Sequence, residues 1–202
     1  MSVLTAAFAL AATPALARNA SNRAATSPVQ SAAARSTYSA LNVTGSASLT
    51  LSGNILTAHV TASGLSPSLP HLMQIHGTVG AQNDCPGASV ADDRVNDGLI
   101  DTAEGLPADG PIDITFSTSG STDAGPAALN LGTAPVATAA GTINYTRTFQ
   151  IPGKFAARLS ELHVVIHGAD LNGINGYDGV DGSLGVGIPL EAEIPVSCSA
   201  IN

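Results

Sequence analysis

From Thr37 to the C-terminus the apolar residues come in short runs rich in Val, Ile, Leu and Thr, separated by Gly, Asn, Ser and Pro. No run keeps a 3.6-residue period long enough to compete, so the spacing predicts an all-β domain over 37–202. The runs 47–51 and 55–62 flank Ser52-Gly53-Asn54, whose Gly and Asn tolerate the positive φ of a tight hairpin. Further strands are expected at 72–76, 112–118, 142–150, 162–167 and 190–196. In the last of these Glu191 and Glu193 alternate with Ala192, Ile194 and Val196, the pattern of a strand with one wet face. About eight strands in two packed sheets is the natural arrangement for such a series. At 44% hydrophobic but only 3% aromatic residues, the core has to be built from aliphatic side chains with small residues filling in, which suits strands. A chain of 202 residues is one domain's worth and can bury a sizeable core.

The N-terminus reads as an export signal. Residues 1–17, MSVLTAAFALAATPALA, hold an apolar run, a helix-breaking Pro14 and the small-x-small Ala15-Leu16-Ala17, which predicts cleavage after Ala17. Residues 18–36 are rich in Ala, Ser and Asn without apolar period and are expected to form a flexible leader. The chain is expected to be secreted or held at the cell surface, with an extracellular protein or cell-surface partner. Its two cysteines, Cys85 and Cys198, match no metal-site spacing; they form either one long-range disulfide of an oxidising compartment or two buried thiols.

Charge narrows the function classes. Seven Lys and Arg stand against 15 Asp and Glu, a net charge of −8 with no basic run, which excludes a nucleic-acid binder that must displace phosphate counterions. No apolar run reaches the eighteen or so residues that cross a bilayer, so no membrane span is expected. Gly-x-Ser-x-Gly, phosphate-loop, His-Glu-x-x-His and dinucleotide motifs are all missing. The acid is concentrated instead: eight of the 15 acidic residues lie between Asp84 and Asp113, and five between Asp170 and Glu193. Each block follows a strand that ends in the same tripeptide, Ile75-His76-Gly77 or Ile166-His167-Gly168. If these strands are neighbours, two imidazoles and two acidic loops gather at one rim, a candidate metal or ligand site.

Two kinds of ion site are candidates. Within 93–104, DRVNDGLIDTAE, the residues Asp93, Asp97, Asp101 and Glu104 fall at positions 1, 5, 9 and 12 of a calcium loop resembling that of the EF-hand, with Gly98 at the turn. Calcium wants six to eight oxygens delivered on alternate residues of a tight turn. Val95 falls where another oxygen belongs, and no helical pattern flanks the loop, so a free-standing calcium loop between strands is expected. A looser version, 170–178, has Ile174 in place of an oxygen and reads as a Gly/Asn turn. For a transition metal, His76 and His167 are the candidate pair, with His71 at the start of the same strand as His76. His163 and His167 share a strand face but lie roughly 13 Å apart, too far to hold one ion.

The stretches GLSPSLPHLMQIHG and VVIHGADLNG, each followed by a Cys, resemble the secreted CHRD-type and dismutase-like proteins and, more remotely, the Cu,Zn superoxide dismutases, over about 47–199. The resemblance implies a Greek-key β-sandwich, a disulfide between Cys85 and Cys198, copper-ligand positions at His76 and His167, and a structural His at His71. Departures bear on function: the first His of the copper-binding His-x-His pair is Gln74, no His lies between Gly77 and Leu162 to form the bridging and zinc ligands, and no Arg stands before the C-terminal Cys. The expectation is therefore a non-enzymatic binding or structural module stabilised by calcium, the alternative a copper or zinc protein or degenerate dismutase centred on His76 and His167.

Overall fold

The computed structural model describes residues 23–31, 42–86, 98–125, 127–185 and 187–201. The signal segment lies outside them, as do Asp93 and Asp97.

Among the described residues eight strands run in the order β1 (Arg23–Ser31), β2 (Thr44–Ser52), β3 (Ile55–Ser63), β4 (Met73–His76), β5 (Ile112–Thr115), β6 (Thr142–Gln150), β7 (His163–His167) and β8 (Pro195–Ala200). They form two antiparallel sheets in the spatial order β5-β4-β7-β8-β1-β2-β3-β6. Strand β1 joins the two by pairing with β2 on one side and β8 on the other. Residues 23–31, part of the segment expected as a leader, form this strand, which is held by backbone bonds to two partners and needs no apolar period of its own.

The sheet of β2, β3 and β6 follows the strict alternation that its sequence carries. Leu49, Leu56, Ala58, Val60, Ile143, Tyr145 and Phe149 turn inward, and they meet Met73, Ile75, Ile114, Val164 and Ile166 of the other sheet in one core. The outward positions are mostly Ser and Thr, paired across strands by bonds such as Thr57 to Thr148 at 2.8 Å and Thr44 to Ser63 at 3.0 Å. His59 lies on this wet face and bonds Thr146 at 2.7 Å.

The sheet of β5, β4, β7 and β8 differs in that its outer face is covered. All four residues of β4 and all five of β7 are buried. Helix α1 (Thr102–Asp109) lies over that face, while the single turns α2 (Gly153–Ala156) and α3 (Leu190–Glu193) lead into β7 and β8. Two expectations change here. Residues 190–193 form a helical turn rather than a strand, and Glu191 and Glu193 are 5% and 0% exposed rather than wet. Their carboxylates accept loop amides, Glu191 from Leu171 at 2.9 Å and Asp178 at 3.0 Å, Glu193 from Leu184 at 3.2 Å. The alternation of acid with apolar residues thus faces loop backbone, not water.

Candidate functional site

The tripeptides Ile-His-Gly mark where the chain leaves the covered sheet. Both glycines have positive φ, 151° at Gly77 and 110° at Gly168. A Cβ at Gly168 would strike the Tyr177 hydroxyl, and one at Gly77 the Leu162 side chain, so each His is followed by a turn that only Gly can make. Strands β4 and β7 are neighbours, but antiparallel: His76 is opposite His163, and Gln74 opposite Val165. His76 and His167 therefore stand at opposite ends of the ladder, not at one rim. Their rings lean toward each other over the Gln74–Val165 pair, with centroids 5.4 Å apart.

Helix α1 bridges that span, since eight residues rise about 12 Å. At its start, Thr102 Oγ1 donates to the Glu193 carbonyl at 2.8 Å and lies 3.3 Å from His167 Nδ1. At its end, Asp109 Oδ2 lies 3.4 Å from His76 Nδ1, and Gly110 offers its carbonyl at 3.1 Å. The helix is set by a capping box: Asp101 accepts from the Glu104 amide, and Glu104 reaches back to the Asp101 amide. Two of the four candidate calcium residues are thus buried, at 6% and 5% exposure, and bonded to helix amides.

The two facing histidines are held differently. His76 Nε2 lies 2.9 Å from Gln74 Oε1, and its Nδ1 lies 3.1 Å from the Gly110 carbonyl with Asp109 Oδ2 beside it at 3.4 Å. Gln74 is oriented by its own bond from Nε2 to the Ala128 carbonyl at 2.7 Å. His167 donates from Nδ1 to the Glu193 carbonyl at 2.9 Å. Burial, then the neighbouring His76, push its pKa down to about 4. The neutral ring leaves Nε2 as a lone pair, and that atom is buried without a partner, as is Asp109 Oδ1.

His71 stands apart from this pair. It is fully buried, its Nδ1 2.9 Å from the His167 carbonyl and its Nε2 3.1 Å from that of Ser66, so it ties two chain segments together. Burial lowers its pKa, and the two carbonyls, which favour a proton on each nitrogen, only partly restore it. With a backbone carbonyl against each ring nitrogen, His71 could meet a metal only by giving up one of these contacts.

The fit of a transition metal is partial. His167 Nε2 and Asp109 Oδ1 are open, but His76 would have to surrender a hydrogen bond to join them, and among the described residues no group of three His, Cys, Asp or Glu is placed to hold an ion. The second acidic block is a self-bonded turn: Asp170 accepts from the amides of Gly173, Ile174 and Asn175 at 2.8, 3.2 and 3.0 Å. Cys85 and Cys198 form a disulfide across 113 residues. Sequence reasoning missed Thr102, Asp109 and the pairing of His163 with His76. The Asp-x-x-Glu capping signal at 101–104 was present to place the helix, while no local signal gives strand register.

No protein-family model matches this chain, and no curated protein matches it.

Proposed function

We propose that the chain is a secreted, non-enzymatic β-sandwich of the dismutase-like and CHRD-like kind, with Greek-key connections, that acts as a binding or structural module. One observation carries this reading: Gln74 holds His76 by a side-chain hydrogen bond inside the covered face. The position that would supply a copper-binding imidazole supplies instead an amide oxygen, a poor copper ligand that occupies the nitrogen of the next candidate. The disulfide accords with an oxidising compartment. Among the described residues no helix is long and apolar enough to cross a membrane. Calcium held by Asp93, Asp97, Asp101 and Glu104 stays part of the proposal, with Asp101 and Glu104 then exchanging helix amides for the ion.

Copper titration followed by electron paramagnetic resonance tests it. The expected result is no tight stoichiometric signal; one that disappears in both His76→Ala and His167→Ala overturns the non-enzymatic reading. That second reading, a copper or zinc protein, has its own support in the unpartnered His167 Nε2 and Asp109 Oδ1. Elemental analysis of protein from its native compartment separates the two: about one copper or zinc per chain favours the second, calcium alone the first.

A further inference from the structure

The run of strands ends at β5 on one side and at β6 on the other, and the two edges are treated differently. β5 is four residues long, and beside it Thr115 gives its amide to the Thr122 carbonyl at 2.8 Å and its hydroxyl to the Asp123 carbonyl at 2.9 Å. β6 is nine residues long and pairs with β3 in an unbroken register from Ile55–Gln150 to Ser63–Thr142. In an antiparallel pair, successive residues turn their amide and carbonyl alternately toward the neighbour and away from it. The bond from the Ile151 amide to the Asn54 carbonyl fixes the phase: odd-numbered residues of β6 serve β3, and even-numbered ones face out from the edge. Of these, Thr142 is in use, its carbonyl accepting from the Thr138 amide at 2.8 Å. Among the described residues nothing bonds the backbone amides and carbonyls of Asn144, Thr146 and Thr148.

Such an edge is a template for another strand, and proteins that keep their edges apart shorten them, bulge them or place Pro, Lys or inward-pointing charge on them. The sequence TINYTRTFQ has no Pro, Gly, Lys, Asp or Glu, and its pairing has no bulge. Its single charge, Arg147, is spent within the molecule, donating to the carbonyls of Ser117 at 2.8 Å and Gly120 at 2.6 Å. Charge also bears on where two copies of this chain can meet. At a net charge of −8 they repel, yet none of the 15 acidic residues lies in β1, β2, β3 or β6.

The occupant follows from the strand's own sequence. Paired antiparallel with itself about a two-fold axis at Thr146, β6 sets Thr146 opposite Thr146, Asn144 opposite Thr148, Tyr145 opposite Arg147 and Ile143 opposite Phe149. Polar residues then meet polar ones on the outer face, and no like charges are opposed. The open groups of residues 144, 146 and 148 close about six ladder bonds. The adjacent registers are worse: an axis at Arg147 opposes two guanidinium groups, and one at Tyr145 sets Thr148 against Thr142, whose carbonyl is taken. We infer that β6 is an interface to which a second copy of this chain adds its own β6, joining two sandwiches through one continuous sheet. Strand pairing alone is a small contact, so the dimer is weak, with a dissociation constant roughly in the micromolar range. It forms whether or not the His76–His167 layer holds a metal.

Sedimentation velocity of the full chain, from low micromolar to submillimolar concentration, is expected to show a reversible monomer–dimer equilibrium. The amides of Asn144, Thr146 and Thr148 are expected to exchange more slowly as concentration rises. Thr146→Glu and Thr146→Lys, at an exposed position, each set like charges opposite one another and are expected to weaken association at least tenfold, while an equimolar mixture of the two restores it as a heterodimer. Thr146→Pro removes an amide that β3 does not use and is expected to abolish the dimer at unchanged secondary structure. Thr50→Glu, exposed on β2 and two strands in from the edge, is expected to leave the affinity within about twofold. A chain that stays monomeric throughout, a dimer that survives Thr146→Pro, or a Glu and Lys mixture that fails to associate would overturn the inference. So would a monomer in which those three amides exchange slowly, since the edge would then be covered from within the chain.

Discussion

At the residue scale the covered face is decided by which atoms of each side chain are already in use. Gln74 spends its amide nitrogen on Ala128 and its oxygen on His76, so truncating it strands a buried imidazole nitrogen and a buried carbonyl. Gln74→Ala is expected to lower unfolding free energy by about 1–3 kcal/mol, read from denaturant midpoints at unchanged slope. Gln74→His is expected to raise copper affinity at least tenfold, because it adds a ligand nitrogen beside His167 and frees His76; an unchanged copper spectrum would refute this. The titrating groups set a pH dependence whose sign is fixed. His167 holds off protonation until about pH 4 against 6.5 in the unfolded chain, so the unfolded state binds more protons between those values. Stability is expected to fall as pH drops through that window, by up to about 3 kcal/mol from this residue. His71 and His163, both lowered chiefly by burial, act in the same direction. Asp113, raised by burial to about 6, opposes them, since its folded form takes up a proton first as pH falls from 6 toward 3.8, and Glu193 is raised in the same sense. Stability measured from pH 7 to 4 is expected to decline more steeply in Asp113→Asn and less steeply in His167→Gln.

Among the elements, α1 is the roof of the histidine layer, and its capping box is its main local support. Asp101→Ala is expected to cost about 1 kcal/mol and to speed amide hydrogen exchange over residues 102–109 more than over the β2–β3–β6 sheet. Exchange that quickens equally in both would mean that the roof has no separate stability. How legible each element was follows from what covered it. β6 was read at its true bounds, 142–150, because water on one face and core on the other impose a period of two. The same period misled at Glu191 and Glu193, since buried backbone amides satisfy a carboxylate as water does. Helix α1 was overlooked because Gly105 and Pro107 dilute its eight residues, although the cap itself was written in the sequence. The two Ile-His-Gly turns were legible as a pair, but not that their strands run antiparallel, which sets the imidazoles at opposite ends. Register is a property of two strands together, and one strand's residues do not contain it.

Across the whole molecule the disulfide decides how much of the fold is held in common. Cys85 leads into the segment before α1, and Cys198 sits in β8 between β7 and β1, so the bridge ties the roof of the covered face to the strand next to the joint between the sheets. The 113-residue separation encloses α1 and the strands β5, β6 and β7. Closing a loop of that length removes about 4 to 5 kcal/mol of conformational freedom from the unfolded chain in the entropic account. Domains of this size have roughly 5–15 kcal/mol in total, so the bridge is a large fraction of the margin. The double variant Cys85→Ser, Cys198→Ser is expected to lose about that much in denaturant unfolding, and its slope against denaturant is expected to rise, because an uncrosslinked chain exposes more surface when it unfolds. A loss below about 1 kcal/mol with an unchanged slope would place the value of the bridge in the native state alone. A second readout distinguishes the two directly: if the bridge also braces the roof, amide exchange at 102–109 accelerates under native conditions in the variant, whereas a purely unfolded-state effect leaves local exchange there no faster than global unfolding requires.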